Sequence, residues 1–283
     1  MTARKNTAKR NSTGRDLAGH NGFSLISEQQ LRAFYKGLLE CRALEEYMRG
    51  ADKRAVRLHP ERYAAAVVCA MDLRREDRMV APTGTLIFPF LKKVPLKQLS
   101  AESFAEWRLE QPVAAKPAGF INAACPAALR DRMQGEENLV VAFAAAHAED
   151  TEVAEALRFA VEQKLPVLFV FFQTAQKPAK KNPAVTVPEF PRIPVDGEDA
   201  VALYRAVSES VSRIRRGFGP TLIECIAFPG ADPEVRGPIA KMEAYLRRKQ
   251  LYSASYRNRT LAAFAARLAV AIPDHGASIQ IVR

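Results

Sequence analysis

Two uninterrupted apolar segments in the middle of the chain indicate the fold most clearly. Residues 138–146 and 165–172 are almost entirely hydrophobic, and residues 151–163 between them place their apolar side chains on one helical face. Unbroken apolarity is typical of strands that are buried on both faces, and strands joined through a helix pair in parallel. The pattern therefore predicts a strand–helix–strand unit at the centre of the chain.

The segments that follow extend this unit. After a polar loop rich in proline and lysine, the pattern predicts a short strand at 193–195, a helix over 199–216 and a buried strand over 220–228. Alternation of strands and helices is the signature of the α/β class. We expect a mostly parallel sheet with helices on both of its faces.

Helical regions are predicted on either side of this sheet. Ser27 followed three residues later by Gln30 forms the sequence pattern of a capping box, which opens a helix. The predicted helices are 31–48, 60–73, a short one at 102–109 within an irregular segment that runs from 82 to 117, 122–133, and a final helical region over 239–271. The N- and C-terminal regions of the domain are therefore expected to be helical.

The charge distribution divides the chain into a tail and a globular part. The net charge is +11, and residues 1–20 hold five basic residues and one acid among polar residues. Such a composition predicts a disordered basic tail over 1–24, a single domain over 25–272 and a C-terminal tail over 273–283. The basic tail raises the hypothesis of nucleic-acid binding, but neither a helix-turn-helix pattern nor a basic and aromatic platform supports it.

Hydrophobic runs and cysteines narrow the class of protein further. The longest purely apolar run, residues 63–71, has nine residues, far short of the roughly 20 that a transmembrane helix needs, so a membrane protein is excluded. The four cysteines are widely spaced and form no C-x-x-C pair. We expect buried reduced thiols and a cytoplasmic location.

Five segments together resemble the α subunit of the E1 component of 2-oxo acid dehydrogenases, which use thiamine diphosphate. They are residues 31–48, 123–143, 155–171, 195–225, with the pattern Val-Asp-Gly-x-Asp followed by a helix and Gly-Pro-Thr-Leu-Ile-Glu, and 242–251. The resemblance implies the thiamine-diphosphate-binding fold, thiamine diphosphate and Mg²⁺ as cofactors, and a separate E1β-like chain in an α2β2 assembly. It also implies an oxidoreductase ancestry.

The family's metal-binding residues are not matched in this sequence. In the family, an Asp within a Gly-Asp-Gly turn at a strand end and an Asn after the next strand bind the Mg²⁺ that holds the diphosphate. By the resemblance, these positions fall on Ala144, Ala145 and Ala146, and on Gln173 with Thr174. The carboxylate is absent and the amide has a longer side chain, so the sequence predicts lost or much altered cofactor binding and no metal ligand.

Two further family features are missing. The segment where the family carries a Tyr-Arg-x-His stretch reads Ala-Pro-Thr-Gly-Thr-Leu-Ile-Phe over 81–88, and the segment 223–246, which corresponds to a loop containing histidine, has no histidine. Proton handling normally depends on such groups. No catalytic residue can therefore be assigned.

Replacement residues could stand near the same strand ends. His147, Glu149 and Asp150 follow the first central strand, and Gln173 follows the second, so these four are the candidate crevice residues. The competing interpretation is structural: Asp150 or Thr151 caps the next helix, acids in its first turn favour the helix dipole, and His147 is solvated.

Two hypotheses about the chemistry remain at this point. In the first, the chain is a non-catalytic E1α-like subunit that has lost thiamine chemistry. In the second, it is a divergent but active E1α that decarboxylates a 2-oxo acid together with a β partner and holds the diphosphate through Gln173, Asp150 and basic side chains.

Overall fold

The computed structural model describes residues 26–51, 62–81, 85–99, 108–110, 117–172, 188–226 and 235–272. The predicted tails lie outside these residues, so the predicted domain limits and the role of the basic tail stay predictions. None of the described helices is both long enough and apolar enough to cross a membrane.

One parallel sheet forms the centre of the molecule. Its strands in the described residues are β1 (Arg78–Val80), β2 (Leu109–Glu110), β3 (Val140–Ala144), β4 (Val167–Phe172), β5 (Arg192–Asp196) and β6 (Thr221–Ile226). Their spatial order is β2-β1-β3-β4-β6-β5, and every neighbouring pair is parallel. The predicted α/β class with a parallel sheet is confirmed.

Helices cover both faces of this sheet. The helices found in the described part are α1 (Glu28–Ala51), α2 (Tyr63–Asp72), α3 (Ile87–Leu91), α4 (Pro117–Met133), α5 (Thr151–Glu162), α6 (Ala200–Arg215), α7 (Pro238–Arg248) and α8 (Ala254–Ala271). Helices α4 and α5 cover one face, whereas α2 and α6 cover the other and α1, α7 and α8 add an outer layer there.

The central strands bury alternate side chains in two separate cores. Val141 and Phe143 of β3 join the core on the α2 and α6 side, whereas Val140, Ala142 and Ala144 join the core on the α4 and α5 side. All five side chains are almost completely buried. The unbroken apolar runs are thus explained by burial on both faces of the sheet.

The predicted helical N- and C-terminal regions pack against each other. The capping box is formed: the backbone N–H of Gln30 donates to Ser27 Oγ at 3.2 Å, and that of Ser27 donates to Gln30 Oε1 at 3.0 Å. Further along α1, the hydroxyl of Tyr35 donates to Glu243 of α7 at 2.6 Å. Capping and packing together fix α1 on the outer layer.

The structure departs from the predicted elements in the first half of the chain. Leu109, the last residue of the helix predicted over 102–109, lies in strand β2, whereas residues 102–107 lie outside the described residues. Strand β1 and helix α3 are elements that the pattern did not predict. Strands of two and three residues are too short to show a periodicity. Helix α3 accommodates Pro89 because its first-turn position needs no N–H donor. Helix α4 begins five residues earlier than predicted, at Pro117.

A buried ion pair joins the amino end of the sheet to α4. The guanidinium of Arg78 makes two hydrogen bonds, both 2.6 Å long, to the carboxylate of Asp131, which is completely buried. Burial alone would raise the pKa of Asp131, but the hydrogen bonds from Arg78 and Asn138 lower it below its ordinary value. Glu110 of β2 also accepts from Arg78, at 2.8 Å. One arginine therefore links β1, β2 and α4.

Replacing Asp131 should be strongly destabilising, since it would leave the Arg78 charge buried without its main partner. We expect Asp131→Ala to lower the free energy of unfolding by about 3–5 kcal/mol in urea denaturation. In the native protein this contribution is complete above the unfolded-state pKa of about 3.9, and it is lost as the pH falls through the lower folded-state value.

The neighbouring Arg130→Gln is the control for this prediction. Arg130 is about half exposed, and its guanidinium lies 3.1 Å from the Glu110 carboxylate, so its loss should cost less than about 1 kcal/mol. Equal effects of the two substitutions would contradict the structural role given to Asp131.

Candidate functional site

The strand order defines where a ligand crevice would lie. The chain leaves β1 towards β2 on one side and leaves β3 towards β4 on the other. In open parallel sheets, ligands bind outside the carboxyl ends of the strands at such a switch point. The candidate crevice is therefore formed by the residues that follow β1 and β3.

Alanine side chains occupy this position. Ala144 ends β3, and Ala144, Ala146 and Ala148 are all at least 98% buried within the core on the α4 and α5 side. After β1, Ala81 is also buried. Each of these residues directs a methyl group into packed surroundings, where glycine would leave room for a phosphate to approach the backbone. At the carboxyl end of β3, the side chains of Ala144 and Ala146 are thus packed into the core, and Ala145 between them is half-buried.

Three of the four candidate residues lie together in the turn between β3 and α5. His147 and Asp150 are joined by a backbone hydrogen bond of 3.2 Å, and His147, Glu149 and Asp150 are all half-buried. Gln173 lies outside the described residues, so its predicted place at the crevice stays a prediction.

An arginine that the sequence analysis did not single out holds Glu149. Arg192, the first residue of β5, lies 2.9 Å from Glu149 and 2.7 Å from Glu224 of β6. Burial raises the pKa of Glu149, but the hydrogen bond from Arg192, a backbone hydrogen bond and the charges of Arg192 and His147 together lower it below its ordinary value. Glu149 is therefore ionised, and through Arg192 it links the turn after β3 to strands β5 and β6.

Asp150 takes the position that precedes helix α5 but does not cap it through its side chain. Its backbone is extended, its carbonyl accepts the first helical hydrogen bond from Ala154 at 2.8 Å, and its carboxylate accepts no capping hydrogen bond. The predicted position is thus correct and the predicted side-chain cap is not formed. Among the described residues, Asp150 is the acid in this turn that is not engaged by Arg192.

The described residues do not fit the usual arrangement for Mg²⁺ and diphosphate. Mg²⁺ is generally held by one or two carboxylates together with phosphate oxygens in an octahedral arrangement. Here the strand end offers alanine methyl groups, Glu149 is bound to Arg192, and Asp150 is a single carboxylate at the start of the helix. In the described parts of the chain no three His, Cys, Asp or Glu side chains lie close enough to hold a metal ion.

Apolar packing also fills the segment after β1. Phe88 lies in α3 and packs against Phe143 of β3, with 4.9 Å between ring centres, and Thr85 is buried nearby in the chain. The described residues of this segment bring no basic or imidazole group to the carboxyl edge. Residues 82–84 and 227–234, which include part of the segment matched to the family's histidine loop, lie outside the described residues.

The Arg192 bridge had a partial signal in the sequence. Glu224 belongs to the predicted strand 220–228, and an acid within an apolar strand needs a buried cationic partner. Arg192 stands directly before the strand predicted at 193–195. The sequence does not show that β6 lies between β4 and β5 in the sheet, because strand order is not encoded in any local pattern.

Comparison with known proteins confirms the resemblance to E1 α subunits. Residues 108–229, which are less than half of the chain, match the family model described as the dehydrogenase E1 component. The α subunit of acetoin:2,6-dichlorophenolindophenol oxidoreductase from Bacillus subtilis is 31% identical over 121 residues, which cover 39% of this chain and 36% of that protein.

A second relative and a solved structure also match only part of this chain. The α subunit of the pyruvate dehydrogenase E1 component from Staphylococcus aureus is 28% identical over 149 residues, covering 42% of this chain and 40% of its own. A solved structure from Mycobacterium smegmatis, described as a thiamin diphosphate-dependent enzyme, has a TM-score of 0.41 and 17% identity, and covers 58% of this chain and 31% of its own. The matched region thus spans well under half of each of these proteins.

Removing Arg192 should change the ionisation of Glu149. We expect Arg192→Gln to raise the pKa of Glu149, because the hydrogen bond that favours the carboxylate is lost while its burial remains. Carbon-detected NMR titration of the Glu149 carboxyl group measures this shift directly. Because Arg192 is about one-third exposed, the accompanying loss of stability should be on the order of 1 kcal/mol.

Arg205→Gln serves as the matched control, since it removes one arginine from an exposed position on α6. It should leave the Glu149 titration unchanged. A Glu149 titration that is the same in Arg192→Gln and in the native protein would show that the bridge does not hold the carboxylate.

Proposed function

We propose that this chain is an E1α-like subunit that no longer binds thiamine diphosphate through its own strand ends and acts as a non-catalytic member of a 2-oxo acid dehydrogenase-type assembly. The observation that carries the proposal is the closed carboxyl end of β3, where Ala144 and Ala146 are packed into the core. The position that the resemblance assigns to the metal-binding Asp is Ala145, which has no donor atom in its side chain.

The motif that this chain shares most closely with the family has structural roles here. Asp199 caps α6 by accepting from the backbone N–H groups of Val201 and Ala202, at 2.9 and 3.0 Å. A Cβ at Gly197 would lie 3.0 Å from the Cβ of Cys225, a tight contact, so the turn favours glycine. These contacts stabilise the fold whether or not the chain is catalytic, so they explain why the motif could persist without the family's reaction.

An E1β-like chain is the partner that we propose, in an α2β2-type assembly, by analogy with the family. We also propose a cytoplasmic location with Cys41, Cys69, Cys125 and Cys225 reduced. All four thiols are free and buried. Burial raises the pKa of Cys125 and, together with the charge of Asp196, that of Cys225 to about 12, so both favour the unreactive thiol form.

The second candidate function, a divergent but active E1α, is favoured by one observation. The carboxylate of Asp150 accepts no capping hydrogen bond and is half-buried beside the crevice, so it has the chemistry of a Mg²⁺ ligand. If Asp150 held the metal, the chain would decarboxylate a 2-oxo acid together with its β partner. Calorimetric titration with thiamine diphosphate distinguishes the two candidate functions.

Calorimetric titration of the chain with thiamine diphosphate, with and without Mg²⁺, tests the proposal. We expect no Mg²⁺-dependent binding, because the strand end lacks the carboxylate and the open backbone that the complex requires. The α subunit from Staphylococcus aureus, assembled with its own β subunit, is the positive control for the titration.

Mg²⁺-dependent binding that is lost in Asp150→Asn would contradict the proposal and establish the second candidate. The titration is made both on the isolated chain and on its complex with a β-type chain, because the family's cofactor lies between the two subunits. In the complex, we expect any thiamine diphosphate binding to be unaffected by Asp150→Asn.

Assembly with a β-type chain is a separate prediction. We expect co-expression with a β-type chain encoded beside this one to give a stable complex of both chains, measured by light scattering after gel filtration. Matched expression of an unrelated α/β protein with the same β-type chain is the control. Elution of the two chains as separate species would contradict the proposed partnership.

A further inference from the structure

We propose that a second site, at the amino edge of the sheet, binds a small ligand that carries two or more phosphate groups. A cavity of about 600 Å³ opens between the turn that precedes β1, the end of α3 and the residue before β2. The candidate crevice follows the carboxyl ends of the strands, whereas this cavity precedes their amino ends. The two sites therefore lie at opposite edges of the sheet.

The cavity has an unusual concentration of positive charge. Five of its lining residues are basic and one is acidic: Arg74, Arg75, Lys92, Lys93 and Arg108, with Glu76. These cations come from three separate parts of the chain, so the concentration results from the fold. Like charges held around one concave space repel each other, and a bound anion removes that repulsion.

Few of these charges are neutralised within the protein. Within the described residues, the side chains of Arg74, Arg75 and Lys93 form no ion pair, and Arg108 reaches Glu136 only at 3.5 Å. Arginine and lysine side chains on a protein surface are usually far enough apart for each to be solvated by water on its own. Here their grouping around a cavity provides several donors for the same ligand.

Lys92 adds a cation that is already partly desolvated. Its ammonium group donates to the backbone carbonyl oxygens of Asp77, at 2.8 Å, and of Arg75, at 3.3 Å. Burial lowers the pKa of Lys92, and the charges of Arg108 and Arg78 lower it further against the opposing effect of Asp77 and Glu76. An anion in the cavity would stabilise the charged form of this lysine.

The backbone holds Lys93 in a conformation that most residues avoid. Lys93 follows the C-cap residue of α3, Lys92, and has a φ of 68°, and the backbone N–H of Val94 donates to the Pro89 carbonyl at 3.0 Å. This is the helix-ending arrangement in which glycine is favoured. A lysine there places a long cationic side chain at the cavity at some conformational cost.

The size and composition of the cavity define the ligand class. A volume of about 600 Å³ suits a small molecule. Paired arginines offer the forked donors that match phosphate oxygens, and lysines add point charges. Leu73 and Leu91 provide an apolar side to the lining. A compact organic phosphate with at least two phosphate groups fits all of these features.

Titration of the native chain with pyrophosphate, in the presence of a metal chelator, is the test. Pyrophosphate should bind at least about tenfold more tightly than sulfate at equal ionic strength. Substituting both Arg75→Gln and Lys93→Gln should raise the dissociation constant for pyrophosphate by about tenfold or more, as expected for the loss of charge-assisted hydrogen bonds. Arg74→Gln, which alters a third cation, should weaken binding in the same direction.

The control is the double variant Arg205→Gln with Lys249→Gln, which removes the same charge from exposed positions outside the cavity. It should change the dissociation constant by less than about twofold. Equal affinity for sulfate and pyrophosphate, or equal losses in the two double variants, would overturn the proposal, as would binding only of long nucleic acid. Thermal unfolding of each variant verifies that it is folded.

The result of the pyrophosphate titration can be distinguished from the result of the thiamine diphosphate titration that tests the proposed function. Binding at the cavity does not require Mg²⁺ and depends on Arg75 and Lys93, whereas cofactor binding at the crevice would require Mg²⁺ and would survive the cavity substitutions. Thiamine diphosphate itself carries two phosphates, so its titration is repeated in the cavity variant.

Discussion

Burial of β3 and β4 on both faces is the constraint on which the rest of the structure depends. Alternate side chains of these strands supply two different cores, one under α4 and α5 and one under α2 and α6. Neither face can therefore accept a polar residue in mid-strand without an unsatisfied group. Polar chemistry is confined to the two ends of the strands.

The two ends of the sheet have opposite character. At the amino edge, Arg78 and Asp131 form a buried ion pair, and a cavity nearby is lined by five basic residues. At the carboxyl edge, buried alanines close the end of β3 and Arg192 ties Glu149 to Glu224. Open α/β sheets normally bind their ligands at the carboxyl edge. In this chain, alanine side chains at the end of β3 are packed into the core, and basic side chains are concentrated at the amino edge.

The extent to which the sequence predicts the structure follows from the same constraint. The elements β3, α5 and β4 are predictable because burial on both faces leaves a continuous apolar run on each side of an amphipathic helix. The strands β1 and β2 have three and two residues, so their place is set by pairing and not by a local pattern. His147, Glu149 and Asp150 could be placed beside the crevice because they directly follow β3.

Contacts between distant segments could not be predicted. Arg192 reaches Glu149 because β5 pairs with β6 beyond β4, and Arg74, Lys92 and Arg108 meet because the turn before β1 lies next to the end of α3. Both arrangements depend on strand order. The resemblance to E1 α subunits concerns the central region, where residues 108–229 match the family model, and the structure adds the burial of Ala144 and Ala146 at the end of β3.

A crystal structure of the chain with its β-type partner, grown with thiamine diphosphate and Mg²⁺, tests the central claim most directly. We expect that Ala144 and Ala146 stay packed in the core, that Arg192 still joins Glu149 to Glu224, and that no diphosphate lies against the end of β3. Diphosphate and Mg²⁺ bound to the turn between β3 and α5, with Asp150 as a ligand, would contradict it.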